Sequence, residues 1–410
     1  MKRVLYLTYD GLTDPLGQSQ ILPYLIGLSK LNYTFTIVSF EKKERFQTQR
    51  EKIELLCHAH NLQWIPLSYT SKPPIISTLC NIWQLKHKVM SLHKSKCFDI
   101  VHVRSYITAF AGLHLKIKKN VKFIFDMRGF WADERVDGGL WNQNKWLYRK
   151  VYQYFKNKEK QFIYYADAVI TLTYHASEEI KKWNIKPRLP VFVIPCCVDT
   201  ELFNPDNIDK NKLSSLKSSL GIKENDFVLG YLGSIGTWYM PDEMLDFFIE
   251  LKKIKTNAKF LFITPKPYTK IQDAIHKKSI PGNDIIILSA ERNEVINYLL
   301  LCKLTIFFIK PCYSKTASSA TKSGEALSMG IPFITNYGIG DLDNFISQYK
   351  CGITIHNFNS EEYAKSINRI PEILSIPVSV IRKIAVENFA LKKGVEMYNK
   401  AYLHCILNIN

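Results

Sequence analysis

Short runs of apolar residues alternate with longer stretches in which apolar positions recur every three or four residues. In the first half the runs fall at 4–9 (VLYLTY), 35–40 (FTIVSF), 99–105 (DIVHVRS), 122–128 (KFIFDMR) and 167–173 (DAVITLT). Near-continuous apolar strands separated by helical segments are the rhythm of a parallel sheet with helices on both faces. Helices are expected from about residue 18 and, strongly charged, over 41–60. A further run from 191 ends at Pro195, and the chain stays polar through 210–219, which marks a domain boundary. The rhythm then restarts, with strands at 228–234, 259–265, 284–290, 304–310 and 331–336, a helix over 242–253 and a helical tail from about 378. The expected class is α/β: two Rossmann-like domains whose parallel sheets face each other across a cleft.

Ligands of open α/β sheets bind at the C-terminal ends of the strands, so chemistry is expected in the loops just after them. Three such loops stand out. The first, YDGLTDPLGQSQILPYL (9–25), crowds Asp10, Gly11, Asp14 and Gly17 into one connection before Gln18 opens a helix. Free N–H groups at a helix start attract phosphate or carboxylate, and Gly17 would let a ligand approach the main chain. The loop lacks the GxGxxG spacing of a dinucleotide site. The second, FDMRGFWADERVDGG (125–139), packs Asp126, Arg128, Glu134 and Arg135 around Trp131, which suits a sugar or phosphate subsite. The third, KPCYSKTASSATKSGEALSMGIPFITNYGIGD (310–341), leads into a helix expected near Thr321. Ser318, Ser319, Thr321 and Lys322 could there hold a diphosphate, and Glu325 could accept from ribose hydroxyls. Each loop also admits a plain structural reading as a turn, a salt-bridged surface or a capped helix.

Charge changes the picture by its distribution. The 410 residues hold 55 Lys and Arg against 37 Asp and Glu, but residues 1–200 alone hold 30 against 16. That half is expected to meet an anionic partner. Basic stretches fall at 86–96, 116–122 and 145–160. The last interleaves Trp146, Tyr148, Tyr152, Tyr154 and Phe155 with lysines, which suits a membrane interface, a single-stranded nucleic acid, or a solvated helix with an aromatic core face. The nine cysteines show no CxxC and read as thiols in a reducing compartment. No run reaches the ~18 apolar residues of a membrane span. A cytoplasmic chain follows as the expectation. His102 reads as a core histidine more than a catalytic one, Asp341-Leu342-Asp343 as a helix start, and a disulfide between the adjacent Cys196 and Cys197 is not expected.

The stretches VIPCCVDTELFNP (193–205), YLGSIGTWY (231–239) and TKSGEALSMGIPFITNYGIGD (321–341) resemble signatures of the retaining glycosyltransferases of family four, which have the GT-B fold. YDGLTDPLGQSQILPYL and FDMRGFWADERVDGG are similar to a bacterial polysaccharide branch of that family. The resemblance implies an acceptor domain over 1–195, a sugar-nucleotide domain over 196–395 and a C-terminal helix, 396–410, returning to the first. It implies a UDP- or GDP-type sugar donor, no further cofactor and no metal. Donor contacts would come from Gly17, Gln18, Gly233, Ser234, Ser318, Ser319, Thr321, Lys322 and Glu325. Glu325 matches the second Glu of the family's Glu-x7-Glu motif. Acceptor contacts would come from Asp10, Asp14, Trp131, Glu134 and Arg135, and catalysis from Lys322, Arg128 and Asp126.

The departures from that pattern are plain. Ala317 stands where the motif has its first Glu, and 233–238 (GSIGTW) lacks the usual Arg and Lys. The activity implied is transfer of a sugar to a hydroxyl of a lipid-linked saccharide, in cell-surface polysaccharide (lipopolysaccharide or capsule) synthesis. The basic half would lie on the inner face of the cytoplasmic membrane, and nucleic acid is not expected as a partner. A non-catalytic homologue and a nicotinamide-dependent oxidoreductase are the competing expectations.

Overall fold

The structure, a computed structural model, describes residues 1–407. The chain forms two compact units. The first holds residues 1–197, 316–318 and the tail from 391. The second holds 198–315 and 319–390.

In the first unit seven parallel strands run β1 (Lys2–Thr8), β2 (Tyr33–Glu41), β3 (Gln63–Ser68), β4 (Ile100–Arg104), β5 (Lys122–Asp126), β6 (Ala168–Thr171) and β7 (Val191–Val193). Their order in the sheet is β3-β2-β1-β4-β5-β6-β7. Because successive side chains of a strand point to opposite faces, β1 feeds two cores. Leu5 and Leu7 pack with Val101, Val103, Phe123 and Phe125 on one face. Val4 and Tyr6 pack with Ile100 and Ile124 on the other, against the tail helix Leu391–Leu407.

The second unit repeats the plan with β8 (Phe227–Leu232), β9 (Ala258–Ile263), β10 (Ile285–Leu288), β11 (Leu304–Phe307), β12 (Phe333–Asn336) and β13 (Gly352–Ile355). Their order is β10-β9-β8-β11-β12-β13, all parallel. Leu229 and Tyr231 enter one core and Val228 the other.

Some elements differ from expectation for local reasons. The helix expected from residue 18 is two short ones, Pro15–Gln20 and Leu22–Ser29, separated at Ile21 and each with a proline in its first turn. The helical tail breaks at the extended Ala390 into Val378–Phe389 and Leu391–Leu407. The return to the first unit therefore starts at 391, and residues 408–410 of the expected returning helix lie outside the described residues. Cys196 and Cys197 stay with the first unit: Cys197 N–H donates to Tyr24 Oη at 2.7 Å, and its carbonyl accepts from Gln20 Nε2 at 2.9 Å. All nine cysteines are free thiols. Among the described residues no helix is long and apolar enough to cross a membrane.

Candidate functional site

Each sheet reverses its strand order once, between β1 and β4 and between β8 and β11. Such switch points open a crevice at the strand C-termini, which brings the loops after those strands side by side.

In the second unit the loops after β8 and β11 are joined by main-chain hydrogen bonds, Met240 N–H to Phe308 C=O at 3.1 Å and Lys310 N–H to Trp238 C=O at 2.8 Å. Beside them starts the helix Thr321–Ser328, whose N-cap, Ala320, gives no side-chain cap to the first-turn N–H groups. Lys322 reaches from its first turn to the loop after β8. Its Nζ donates to Tyr231 Oη at 3.3 Å, and that hydroxyl donates to the Ser234 carbonyl at 2.9 Å. The ammonium lies 3.6 Å from the ring centre of Tyr239 and 4.4 Å from that of Tyr231. A Cβ at Gly233, where φ is +117°, would come within 3.2 Å of Nζ. Burial pushes the Lys322 ammonium well below its ordinary pKa, against a smaller upward pull from Glu325.

Glu325 is buried and accepts from Arg292 Nη1 at 2.9 Å. The Arg292 guanidinium in turn lies 5.1 Å from the ring centre of Phe203. Gly233, Ser234, Thr321, Lys322 and Glu325 are thus gathered around one helix start, with the half-buried Ser319 just before it. Ser318 counts with the first unit. Sequence reasoning missed two cations here. Arg292 holds Glu325, and Lys315 lies 3.7 Å from the ring centre of Trp238. Trp238 ends the GSIGTW stretch that lacks the family's basic pair, so Lys315 brings a positive charge to that loop from the one after β11. The only signal for it was a second lysine in the Ser/Thr-rich run.

In the first unit the loop after β1 is knitted around a residue that the sequence did not single out. Glu41, at the end of β2, is buried and accepts from Leu12 N–H at 2.8 Å, Thr13 N–H at 3.1 Å and Thr13 Oγ1 at 2.5 Å. At Gly17 the side of the main chain that a Cβ would take is filled. A Cβ there would lie 2.1 Å from the Gly11 carbonyl, so glycine lets the loop pack closely on itself. Gln18 Nε2 likewise donates to the Thr13 carbonyl at 3.2 Å. Asp14 pairs with Lys42 at 2.8 Å and Asp10 with Arg104 at 3.3 Å. Glu41→Ala would strand two buried N–H groups and the hydroxyls of Thr13 and Ser39. It is expected to cost about 2–4 kcal/mol by denaturant melting, with Glu41→Gln losing less.

The register β1-β4-β5 sets Tyr6 beside His102 and Arg104 beside Asp126. Asp126 is fully buried and accepts from Tyr398 Oη at 2.8 Å, while His102 Nε2 lies 3.5 Å away. Burial opposes ionisation of Asp126, but Arg128, His102 and Arg104 together outweigh it and hold its carboxyl below the usual range. His102 is a core histidine, with Nδ1 2.7 Å from Tyr402 Oη, and burial lowers its pKa. The half-buried Arg128 takes a left-handed φ of 58° and donates to Tyr398 Oη at 3.4 Å and Cys196 Sγ at 3.3 Å. Asp126 therefore anchors Tyr398 from beneath and is sealed from solvent. Trp131 stacks on Tyr106 and carries the Arg135 guanidinium 4.8 Å from its ring centre, with Glu134 half-buried on the same helix, Trp131–Asp137.

Two further positions singled out in the sequence have structural surroundings. Ala317 is fully buried in an apolar cluster of the first unit, where a carboxylate would be desolvated. Asp343, of the DxD triplet, accepts from Gly338 N–H at 2.9 Å at the start of the helix Leu342–Tyr349.

Comparison with known proteins agrees with this fold. Residues 24–202 match the Glycosyltransferase Family 4 model, and residues 214–373 match that of Glycosyl transferases group 1. Alpha-monoglucosyldiacylglycerol synthase of Acholeplasma laidlawii is 24% identical over 217 residues, 52% of this chain and 52% of that protein. The chain thus spans about half the length of the curated relative it matches. Among solved structures, a glycosyltransferase from Rickettsia africae superposes with a TM-score of 0.71 at 15% identity, covering 99% of both chains. Sucrose-phosphate synthase from Thermosynechococcus elongatus gives 0.75 at 11% identity, over 100% of both. Anabaena HepE, solved with UDP and glucose, gives 0.70 at 14% identity, over 98% of this chain and 99% of its own. With a glycosyltransferase family model on each half and two Rossmann-like sheets of the GT-B type, the chain belongs to the GT-B glycosyltransferases.

Proposed function

We propose that the chain transfers a sugar, with retention, from a UDP- or GDP-type sugar donor to a hydroxyl of a lipid-linked saccharide, in the synthesis of a bacterial cell-surface polysaccharide. The observation that carries this reading is Lys322: a half-buried ammonium held on aromatic faces and tied through Tyr231 to the loop at Ser234, beside an uncapped helix start. As the bond from the anomeric carbon to the diphosphate oxygen breaks, negative charge grows on the diphosphate. Lys322, the first-turn N–H groups and Lys315 would meet that charge, stabilising the transition state more than the ground state. These groups supply the positive charge of a metal-independent transfer. Glu325, oriented by Arg292, would take the ribose hydroxyls. On the acceptor side Trp131 offers an aromatic face and Arg128 a cation, with Asp126 and Tyr398 acting as positioning residues beneath it.

Anabaena HepE, solved with UDP and glucose, supports the donor class. The name of the Acholeplasma relative places a diacylglycerol in its product, which supports a lipid-borne acceptor. The test is acceptor-dependent release of free UDP or GDP from a panel of nucleotide sugars, with the product's anomeric configuration read by proton NMR. A product keeping the donor's configuration is expected; an inverted one would contradict retention.

A further inference from the structure

The first unit presents a surface that no step of the proposed transfer uses. The helix Ile76–Lys96 buries Ile82, Leu85 and Val89 against its sheet. It turns Ile76, Leu79 and Trp83 outward, 60%, 58% and 66% exposed. Spacings of three and four place them on one stripe, where a surface helix ordinarily carries polar groups. The Trp83 ring continues onto His87 at 4.3 Å.

This stripe is framed by positive charge, although Lys156 on its far side is paired with Asp133 and Glu159. Residues 70–98 hold five lysines and no acidic residue. Residues 138–158, which open the helix Trp146–Tyr165, hold five lysines and arginines and again no acidic residue. The helix Ser105–Lys119 links the two. Lys86 Nζ lies 6.0 Å from the ring centre of its Phe110, and Phe110 stacks on Tyr154 at 6.2 Å. Of the aromatic residues on the helix Trp146–Tyr165, Trp146 and Tyr154 are 74% and 47% exposed, whereas Phe155 is buried and Tyr152 is bonded to Asp133. Burial and then the charge of Lys158 hold Lys86 below its ordinary pKa. Burial followed by Lys86, Lys118 and His87 does the same to His114, and no carboxylate offsets either.

We infer that this face docks on an anionic lipid bilayer, with Ile76, Leu79 and Trp83 entering the headgroup–acyl boundary and the flanking lysines lying over the headgroups. The partner must be apolar in the middle and anionic around it, and a bilayer interface is both. A nucleic acid offers no apolar layer to Ile76 and Leu79. A second copy of the chain would bring the same positive field against itself. The inference deepens the lipid side of the proposed function, yet its test needs neither donor nor acceptor, so the two can fail separately.

The full chain is sedimented with phosphatidylcholine vesicles, with and without phosphatidylglycerol. Binding is expected only when phosphatidylglycerol is present, and is expected to weaken as salt rises. Leu79→Asp with Trp83→Asp should lower partitioning by more than about tenfold. Lys86→Gln and Lys88→Gln should each lower it about fivefold. Because Leu79 and Trp83 are exposed, thermal melting of the double variant should match the wild type, which separates lost docking from lost folding. The inference is overturned if wild type and the Leu79→Asp/Trp83→Asp variant partition equally. It is equally overturned if the stripe instead mediates a dimer in sedimentation velocity, or if the variants lose only oligonucleotide binding.

Discussion

Replacing Lys322 with Ala lowers kcat/KM for sugar transfer by about 10²–10³, the loss typical of removing one preorganised charge from a developing anion. The structure argues for the upper part of that range. The Lys322 ammonium is held between the rings of Tyr239 and Tyr231, and burial makes its charged form costly. A bound diphosphate reverses that balance, so binding should draw a proton onto Lys322. Affinity for UDP or GDP is then expected to rise as pH falls through the lowered pKa of the free lysine. Calorimetric titration in buffers of different ionisation enthalpy would read the proton uptake directly. Lys322→Ala should abolish both the uptake and this pH dependence while leaving thermal stability unchanged or slightly higher. The half-buried cation serves binding at a cost to the fold.

Ending the chain after Ala390 prevents the first unit from folding. The helix Leu391–Leu407 buries Val395, Tyr398, Ala401, Tyr402 and Cys405 in the core of that unit. At ~1.5–3 kcal/mol for each large side chain, its removal exceeds about 5 kcal/mol, comparable with the whole stability of a domain. The contact is built for close approach. A Cβ at Gly27 would fall 2.4 Å from Val395, and one at Gly394 would fall 2.6 Å from Tyr24. Loss of cooperative melting and rapid proteolysis of residues 1–197 are the expected readouts. Tyr398→Phe is the gentle version. It removes the hydroxyl that donates to Asp126 and is expected to cost about 1–3 kcal/mol without preventing folding.

The α/β rhythm was legible because parallel strands buried on both faces read as apolar runs such as VLYL and FLFI. Strand β3 escaped because its sequence, QWIPLS, is half-exposed and carries Pro66. Strand β13 escaped because in GITI a glycine and a threonine alternate with the two isoleucines, which leaves no apolar run. The gathering of Lys322, Glu325 and Gly233 could be anticipated because Gly233 directly follows β8 and the other two open the helix to which the loop after β11 leads. Glu41, Arg292 and Lys315 could not, since each acts on a segment distant in sequence and spacing carries no sign of a long-range carboxylate or cation. Gly17 reads from the sequence as access for a ligand; the structure adds that the space on its Cβ side is filled by the Gly11 carbonyl, which loop composition could not show. Asp126, a carboxylate at a strand end expected to take part in catalysis, is sealed under Tyr398 by a helix from the far end of the chain.

The central claim is that the second unit holds a nucleoside diphosphate around Lys322 and Glu325. Isothermal titration of UDP and GDP into the wild type, Lys322→Ala and Glu325→Ala tests it most directly. The account predicts saturable binding of one of the two nucleotides by the wild type, and at least tenfold weaker binding by each variant (about 1.4 kcal/mol). Wild-type affinity retained in both variants, or no binding of either nucleotide by the wild type, would contradict it.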